Sequence, residues 1–174
     1  MRFNVKDGET FTVAGIEFIK FPAVGDANPV MARNCLFRSK FGDNNDLRSS
    51  TVRKRMEEEV LPKIIEALGE ENVLTFKTDL TTEDGLKPYG EMESKISLPT
   101  LDFYRANVET FDKHKVDNWF WLATPESAQP HSDPNWTLCV SPSGDIGYGY
   151  CYSYDRGVRP FLYFQSSIFE SCGE

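Results

Sequence analysis

The turn and strand that decide the fold are Ser141-Pro142-Ser143-Gly144-Asp145-Ile146-Gly147-Tyr148-Gly149-Tyr150-Cys151-Tyr152-Ser153-Tyr154. Pro and Gly between two alternating runs predict a β-hairpin that turns at residues 141–145. Because strand side chains alternate at period 2, the four tyrosines share one face and small residues line the other. Two interpretations stay open. The tyrosines form an exposed surface of rigid amphipathic rings, or they pack inward with each hydroxyl bonded at the rim.

The chain around this hairpin is rich in further strand signals. Runs of β-branched and aromatic residues bounded by Gly, Pro and Asp predict strands at 11–13, 16–21, 31–37, 73–80, 95–98, 119–123, 136–141, 146–154 and 158–164. Most of the predicted strands lie before residue 40 or after residue 118, with the polar and helical segments between them.

Two helices are predicted in the middle of the chain. Ser49 or Ser50 caps the first, which runs over 51–68 and is closed by Gly69. Its apolar stripe recurs at every fourth residue and should face the core: Val52, Met56, Val60, Ile64 and Leu68. Pro62 lacks an N–H and crowds the preceding turn, so we expect a kink near Glu59. The second helix is short, over 101–108, with Thr100 as its cap.

Length and composition exclude several classes of protein. With 174 residues, 40% of them hydrophobic, and with no linker or internal repeat, residues 1–174 are predicted to form a single domain. The apolar runs are too short to cross a membrane, so no membrane partner is expected. The first residues lack the hydrophobic stretch of a secretory signal, which favours a cytoplasmic location. A net charge of −8 repels polyphosphate backbones, so we do not expect nucleic acid as the primary partner.

Charge and aromatic residues are unevenly placed along the chain. Residues 64–136 carry 6 basic and 14 acidic side chains, and 15 of the 23 aromatic residues lie between Phe103 and Phe169. An acidic middle segment and an aromatic, nearly neutral carboxyl-terminal segment are therefore two separate candidate surfaces. The acidic pairs Glu83/Asp84 and Glu91/Glu93 indicate a solvated face rather than an acid and base dyad.

The basic residues form one cluster in the sequence. Arg33, Arg38 and Lys40 precede a helix start that contains four more cations: Arg48, Arg53, Lys54 and Arg55. Glutamates at i+4 pair with the last three of these, which predicts a solubilising surface rather than a nucleic-acid groove.

The sequence contains no pattern typical of catalysis. Cys139 with His131 or His114 makes an imaginable nucleophile and base. However, there is no nucleophile elbow, Walker loop or Gly-x-Gly-x-x-Gly before a helix. The two histidines have no cysteine at metal-ligand spacing. We therefore expect no enzyme activity, no metal and no cofactor.

Three blocks near the carboxyl end resemble a known family. They are Trp119-Phe120-Trp121-Leu122-Ala123-Thr124-Pro125, then Cys139-Val140 with Ser143-Gly144, then Gly157-Val158-Arg159-Pro160-Phe161. Together they resemble the "WWLRSP … V…G … GVRPAL" ending of a large family of uncharacterised bacterial and prophage-encoded domains. That family is similar to C-type-lectin-like domains, including the variable proteins of diversity-generating retroelements and, more distantly, formylglycine-generating enzymes.

The resemblance implies an α+β, C-type-lectin-like fold. In that fold two helices flank a twisted antiparallel sheet, and the two ends of the chain pair side by side. It makes Trp119, Trp121, Gly157, Arg159 and Pro160 structural motif residues. Gly157 permits a close approach, Pro160 suits a strand entrance, and Arg159 is interpreted as a structural arginine held by buried carbonyls or a carboxylate.

A sugar site of the calcium-dependent lectin type is not expected. Lectins that share the fold use Glu-Pro-Asn or Gln-Pro-Asp together with Trp-Asn-Asp as oxygen ligands. Here Gln129-Pro130-His131-Ser132-Asp133 breaks the first triplet, and Trp136-Thr137-Leu138 lacks the second.

The resemblance leads to one principal hypothesis about function. It is a non-catalytic binding module of phage or mobile-element type, acting in the bacterial cytoplasm and contacting a protein partner. Related variable proteins place binding residues near the chain end on this fold. The expected contact residues here are Trp136, Tyr148, Tyr150, Tyr152, Tyr154 and Asp155.

Two alternatives stay open. The first is an anti-CRISPR-like inhibitor of a host defence nuclease, acting through an acidic surface that includes Glu83, Asp84, Glu91 and Glu93. The second is an enzyme of the formylglycine-generating type.

Overall fold

The computed structural model describes residues 2–170 and shows an α+β architecture. Its strands are β1 (Thr10–Val13), β2 (Ile16–Lys20), β3 (Ala27–Ala32), β4 (Phe37–Arg38), β5 (Phe76–Asp79), β6 (Glu91–Ser94), β7 (Phe120–Pro125), β8 (Trp136–Val140), β9 (Ile146–Tyr150), β10 (Gly157–Val158) and β11 (Phe161–Gln165). The α+β class predicted from the sequence is confirmed.

The strands form two sheets and a separate ribbon. The first sheet has the order β1-β2-β3-β11, and the second has the order β4-β10-β7-β8-β9. The pairs are antiparallel except for β10 with β7, and β5 pairs with β6 alone. In the first sheet β3 pairs with β11 in a register that runs from Met31 opposite Phe161 to Ala27 opposite Gln165. The resemblance implied one antiparallel sheet, whereas the described residues divide between two sheets and the ribbon.

The first helical segment follows the range predicted for it, 51–68, closely. This segment comprises α1 (Thr51–Arg55), a π-helical segment Met56–Val60 and α2 (Leu61–Leu68). The Ser50 side chain accepts from the Arg53 N–H, and the segment ends at Gly69, whose φ is 88°. The irregularity expected near Glu59 is therefore confirmed. Because Pro62 has no N–H to donate backwards, the helix widens by one residue in the turn before it.

The second helical region is divided. The Thr100 side chain caps α3 (Leu101–Ala106) by accepting from the Phe103 N–H, and α4 (Val108–Lys113) follows after Asn107. The prediction of a single helix over 101–108 is therefore wrong at its carboxyl end, where α3 ends at Ala106 and a separate helix follows. Asn107 has a φ of −128°, outside the helical region, so it separates the two helices.

Several predicted strand boundaries were wrong. The predicted strand at 31–37 comprises the end of β3, a loop and the first residue of β4. The predicted strand at 95–98 is a loop in which Ser97 makes a single bridge to Phe161. The predicted strand at 146–154 ends at Tyr150, so Tyr152 and Tyr154 lie in the turn that follows β9.

The hydrophobic core contains the predicted helix stripe. Val52, Met56, Val60 and Ile64 are buried, and Leu68 packs at the border of the same cluster. A second cluster lies on the other side of β7 and β8, where Leu122 and Leu138 are covered by residues of α3 and α4 such as Tyr104 and Phe111. The second sheet is therefore buried on both faces along its centre.

Two tryptophans explain the glycines of β9. A Cβ on Gly147 would overlap the Trp119 ring, and one on Gly149 would overlap the Trp121 ring. Trp121 is fully buried, and its indole N–H donates to the Ser39 carbonyl at 2.9 Å. The small side of the hairpin is thus filled by the rings of Trp119 and Trp121, and this packing directs the tyrosines of β9 to the opposite face.

Arg159 is a structural arginine, as the sequence indicated. Its guanidinium is buried and donates to three carbonyl oxygens, those of Ala32 at 3.1 Å, Arg33 at 2.8 Å and His114 at 3.2 Å. It also lies over the Phe120 ring at 4.6 Å. Burial lowers the pKa of Arg159 to about 10, so it stays charged at neutral pH. These bonds tie the end of β3 to the end of α4.

Gly157 and Pro160 fit the roles that the motif gives them. A Cβ on Gly157 would overlap Cys35, so the glycine permits a close approach of the loop before β4. Pro160 lies between β10 and β11, where the chain changes sheets, and its carbonyl accepts from the Ala32 N–H at 2.9 Å. No helix among residues 2–170 is long and apolar enough to cross a membrane.

The packing of Trp121 against Gly149 makes a stability prediction. Gly149→Ala should lower the free energy of unfolding by about 1–3 kcal/mol, because the added methyl overpacks a filled core. Urea unfolding followed by tryptophan fluorescence measures the change. Tyr148→Val, on the outward face of the same strand, is the control and should cost less than 1 kcal/mol, on the order of a surface substitution. Equal effects of the two substitutions would contradict the packing argument.

Candidate functional site

We define the aromatic face as Trp136, Tyr148, Tyr150, Tyr152 and Tyr154. Trp136 begins β8 directly opposite Tyr150 on β9, and Tyr148 lies two residues before Tyr150. β9 is at the edge of the second sheet. The exposed fractions of the five residues are 42%, 50%, 40%, 42% and 69% in chain order. Of the two interpretations that the sequence left open, the structure therefore supports the exposed one.

Three of these rings form a continuous contact series. The ring centroids of Trp136 and Tyr150 are 5.5 Å apart, and those of Tyr150 and Tyr152 are 5.2 Å apart. Both pairs are tilted, which is a favourable arrangement for aromatic rings. The series crosses from β8 over β9 into the turn after β9, so its members lie on three different segments.

Hydrogen bonds fix the outer tyrosines. The Tyr152 hydroxyl donates to the Asp43 carbonyl at 2.8 Å, and the Lys40 ammonium lies 5.9 Å from the Tyr152 ring centroid. The Tyr148 hydroxyl donates to Glu83 Oε1 at 3.2 Å, and this bond raises the pKa of Tyr148. These rings are held in place before any partner binds, which lowers the entropic cost of association.

A buried asparagine supports the face from below. The Asn45 amide nitrogen donates to the carbonyls of Trp136 at 3.0 Å and Ser127 at 2.7 Å, while its oxygen accepts from the Tyr89 hydroxyl at 2.6 Å. No local sequence pattern could identify this role of Asn45, because its partners are distant in the chain.

Asp155 and Tyr154 lie beside the series. Tyr154 is the most exposed member of the aromatic face, and Asp155 pairs with the Arg156 guanidinium at 3.0 Å. Arg156 in turn lies 5.3 Å from the Trp119 ring centroid. Asp155 is therefore an exposed carboxylate that is already paired with a cation.

The structure separates the four acidic residues that the sequence analysis grouped. Glu83 joins the aromatic face through Tyr148, and Asp84 follows it in the same loop. Glu91 and Glu93 lie on the exposed side of β6 in the two-stranded ribbon, where Glu91 lies 3.9 Å from the Lys77 ammonium. Only the first pair is therefore placed to act together with the tyrosines.

Asp84 links two loops. Its carboxylate accepts from the hydroxyls of Thr82 at 2.5 Å and Ser127 at 2.7 Å, and contacts the His131 ring nitrogen Nδ1 at 2.8 Å. These bonds, first those from Thr82 and Ser127, hold the pKa of Asp84 well below its ordinary value. They join the loop that carries Glu83 to the loop between β7 and β8.

The buried thiols are poor nucleophiles. Cys139 and Cys151 are fully buried, and burial raises the pKa of Cys139 and takes that of Cys151 to about 11. Because the thiolate is the reactive form, both act as packing groups at neutral pH. Cys139 and Cys151 lie on the same face of the hairpin, since Cys139 is opposite Gly147.

Side-chain contacts fix the loop around Gln129. The Gln129 side-chain amide donates to Asp133 at 3.1 Å within the loop, and the His131 ring contacts Asp84 outside it. Within residues 2–170 there is no group of three or more His, Cys, Asp or Glu side chains arranged to hold a metal ion.

Comparison with known proteins gives no further identification. No family model, no curated protein and no solved structure matches this chain. The resemblance to C-type-lectin-like domains is therefore a prediction from the sequence motifs alone.

The hydrogen bonds of Asp84 predict an acid-sensitive contribution to stability. Because the folded-state pKa is lowered, this contribution is complete above the ordinary aspartate pKa, about 3.9, and is lost as the pH falls below it. Asp84→Asn should therefore reduce stability at pH 7 and flatten the decline of the unfolding free energy below about pH 4.

Urea unfolding between pH 7 and pH 2.5 measures this difference. The control is Glu93→Gln, which removes an exposed carboxylate of the ribbon and should leave the acid decline as steep as in the parent protein. An unchanged decline in Asp84→Asn would contradict the role of Asp84.

Proposed function

We propose that the protein is a non-catalytic binding module that contacts a protein partner through the aromatic face. The observation that carries the proposal is the exposed, hydrogen-bonded series Trp136, Tyr150 and Tyr152. Tyr and Trp provide large contact areas at low entropic cost and dominate binding hot spots. Five large aromatic side chains exposed on adjoining segments are more than solubility requires.

The chain organisation supports a C-type-lectin-like version of this proposal. Pairing of β3 with β11 brings an early and a late strand together, and Arg159 lies in the motif between β10 and β11. In this version the aromatic face occupies the region where the variable proteins of diversity-generating retroelements place their binding residues. The proposed setting is a phage or mobile-element protein in the bacterial cytoplasm.

The surroundings of the aromatic face specify the charge of the partner. Glu83 contacts Tyr148 directly, and Glu126 lies near enough to Tyr148 to raise its pKa. The cations Lys40 and Arg156 are each paired with an aspartate. The partner we propose therefore presents a basic surface with apolar groups that cover the rings.

A second candidate function follows from the same contact. An inhibitor of a host defence nuclease would present carboxylates to a basic nucleic-acid groove. Glu83 contacts Tyr148 of the aromatic face, and Asp84 follows Glu83 in the sequence. Here the carboxylates, rather than the rings, would dominate the binding energy. An enzyme of the formylglycine-generating type is not supported, since Cys139 is buried with a raised pKa.

The test is affinity capture from the bacterial host with a matched pair of variants. The double variant Tyr150→Ala and Tyr152→Ala should lose partner binding by more than about 30-fold, since two hot-spot residues each contribute about 1–2 kcal/mol or more. Its free energy of unfolding should fall by only about 1–2 kcal/mol, because both rings are partly exposed. Calorimetry with the captured partner and thermal unfolding provide the two readouts.

The control is Val108→Ala, which removes an exposed apolar side chain from α4 and should leave binding unchanged. Retained binding in the double variant would contradict the proposal.

Glu83→Lys together with a salt titration separates the two candidate functions. The nuclease inhibitor is selected if binding depends steeply on salt, if Glu83→Lys abolishes it, and if the tyrosine double variant still binds the partner.

A further inference from the structure

A surface cavity of about 530 Å³ lies away from the aromatic face, between two loops. One wall is formed by Arg33 and Cys35 of the loop that joins β3 to β4, and by Arg38 of β4. The other is the segment before β7, with Lys115 and Asp117. The volume is within the range of small-molecule sites, about 300–1,000 Å³.

The cavity is positively charged in a protein of net charge −8. Three cations, Arg33, Arg38 and Lys115, and one carboxylate, Asp117, line it, so its formal charge is +3 − 1 = +2. The amide side chains of Asn34 and Asn118 are also at its walls and add neutral hydrogen-bond donors.

The three cations of the cavity have no carboxylate partner among residues 2–170. The side chains of five arginines in that range form ion pairs: Arg48, Arg53, Arg55, Arg105 and Arg156. The side chains of Arg33, Arg38 and Lys115 form none, and the Arg33 guanidinium donates only to the side chain of the neighbouring Asn34 at 3.3 Å. The sequence pattern grouped Arg33 and Arg38 with the neutralised helix residues, whereas the structure separates them.

Two contacts fix the loop with Arg33 and Cys35 that lines the cavity. Cys35 lies against the backbone of Gly157, where a β-carbon would not fit. The buried Arg159 guanidinium donates to the Arg33 carbonyl at 2.8 Å and fixes this loop from behind. Burial raises the pKa of Cys35, while the nearby Arg159 and Arg38 oppose that effect, so positive potential extends into the cavity.

We propose that this cavity is a binding site for a small phosphate monoester. Such a group carries a charge of about −1.5 to −2 at neutral pH, which matches the formal charge of the cavity. Guanidinium groups present donors in a fork that fits phosphate oxygens, and an ammonium adds a compact charge. The site and its ligand class are independent of the proposed protein-binding function, because the two sets of residues do not overlap.

The charge distribution favours a small ligand over a polyanion. A nucleic acid would extend over a surface whose overall charge is −8, whereas one phosphate group is exposed mainly to the local charge of +2. A dicarboxylate of similar size, such as malonate, is the closest chemical competitor. Its charge is divided between two planar groups of two oxygens each, whereas a phosphate monoester carries three oxygens on one phosphorus for the three cations.

The experiment is an NMR titration of the ¹⁵N-labelled full chain with inorganic phosphate, glycerol phosphate and malonate at constant ionic strength. Phosphate and glycerol phosphate should shift the amide signals of residues 33–38 and 115–118 in a saturable manner. Each should bind more tightly than malonate. No saturable shift, shifts confined to other residues, or tighter binding of malonate would overturn the proposal.

Matched variants test the cations. Arg38→Gln should weaken phosphate binding about tenfold, as expected for loss of a charge-assisted hydrogen bond, about 1.5 kcal/mol. Lys63→Gln, an exposed cation on α2 that does not line the cavity, should weaken it less than twofold. Because Arg38 is exposed, its variant should fold, and the spectrum itself shows whether it does. Equal effects of the two variants would overturn the assignment.

Discussion

The contact of Trp119, which precedes β7, and Trp121 of β7 with the glycines of β9 determines which side of the hairpin faces solvent. Trp119 and Trp121 occupy the space that side chains at 147 and 149 would fill, so β9 can have only one orientation. A slip of one residue would place tyrosines against these rings and reverse every side chain of the strand. The hydrogen bond from Trp121 to Ser39 also joins the strand to the segment before the first long helix. The exposed aromatic face is therefore a consequence of how the opposite face packs.

Local signals were enough to predict the hairpin turn, a helix cap at Ser49 or Ser50 and the disturbance before Pro62, because each depends on residues within a few positions. Exposure of the tyrosines was not predictable in this way. Period-2 alternation shows that Tyr148 and Tyr150 share a face, but Trp121 decides which face is buried. The strand β6 was missed because its alternating Glu91, Met92 and Glu93 include residues of low strand propensity, and pairing with β5 stabilises it.

The candidate sites show the same limit. Spacing alone placed the tyrosines on one face, and the family resemblance led to Trp136 and the tyrosines as expected contact residues. Their hydrogen bonds to Asn45 and Asp43 arise from loops that the fold brings close. The acidic residues Glu83 and Glu91 are close in sequence but are placed on different elements. The cavity could not be predicted at all. Arg38 and Lys115 line the same cavity only because β10 pairs with both β4 and β7, which brings β4 close to the segment before β7.

The pairing of β3 with β11 also has a consequence for how the protein folds during synthesis. Residues 27–32 remain without one of their neighbours until residues 161–165 have been made, and Arg159 reaches the Ala32 carbonyl only then. Contacts of such long sequence separation slow folding, because loop closure must precede the energetic gain. The edge of β3 that pairs with β11 therefore stays unpaired while the residues between the two strands are translated. Its vulnerability to aggregation should be greatest just before the last strand emerges.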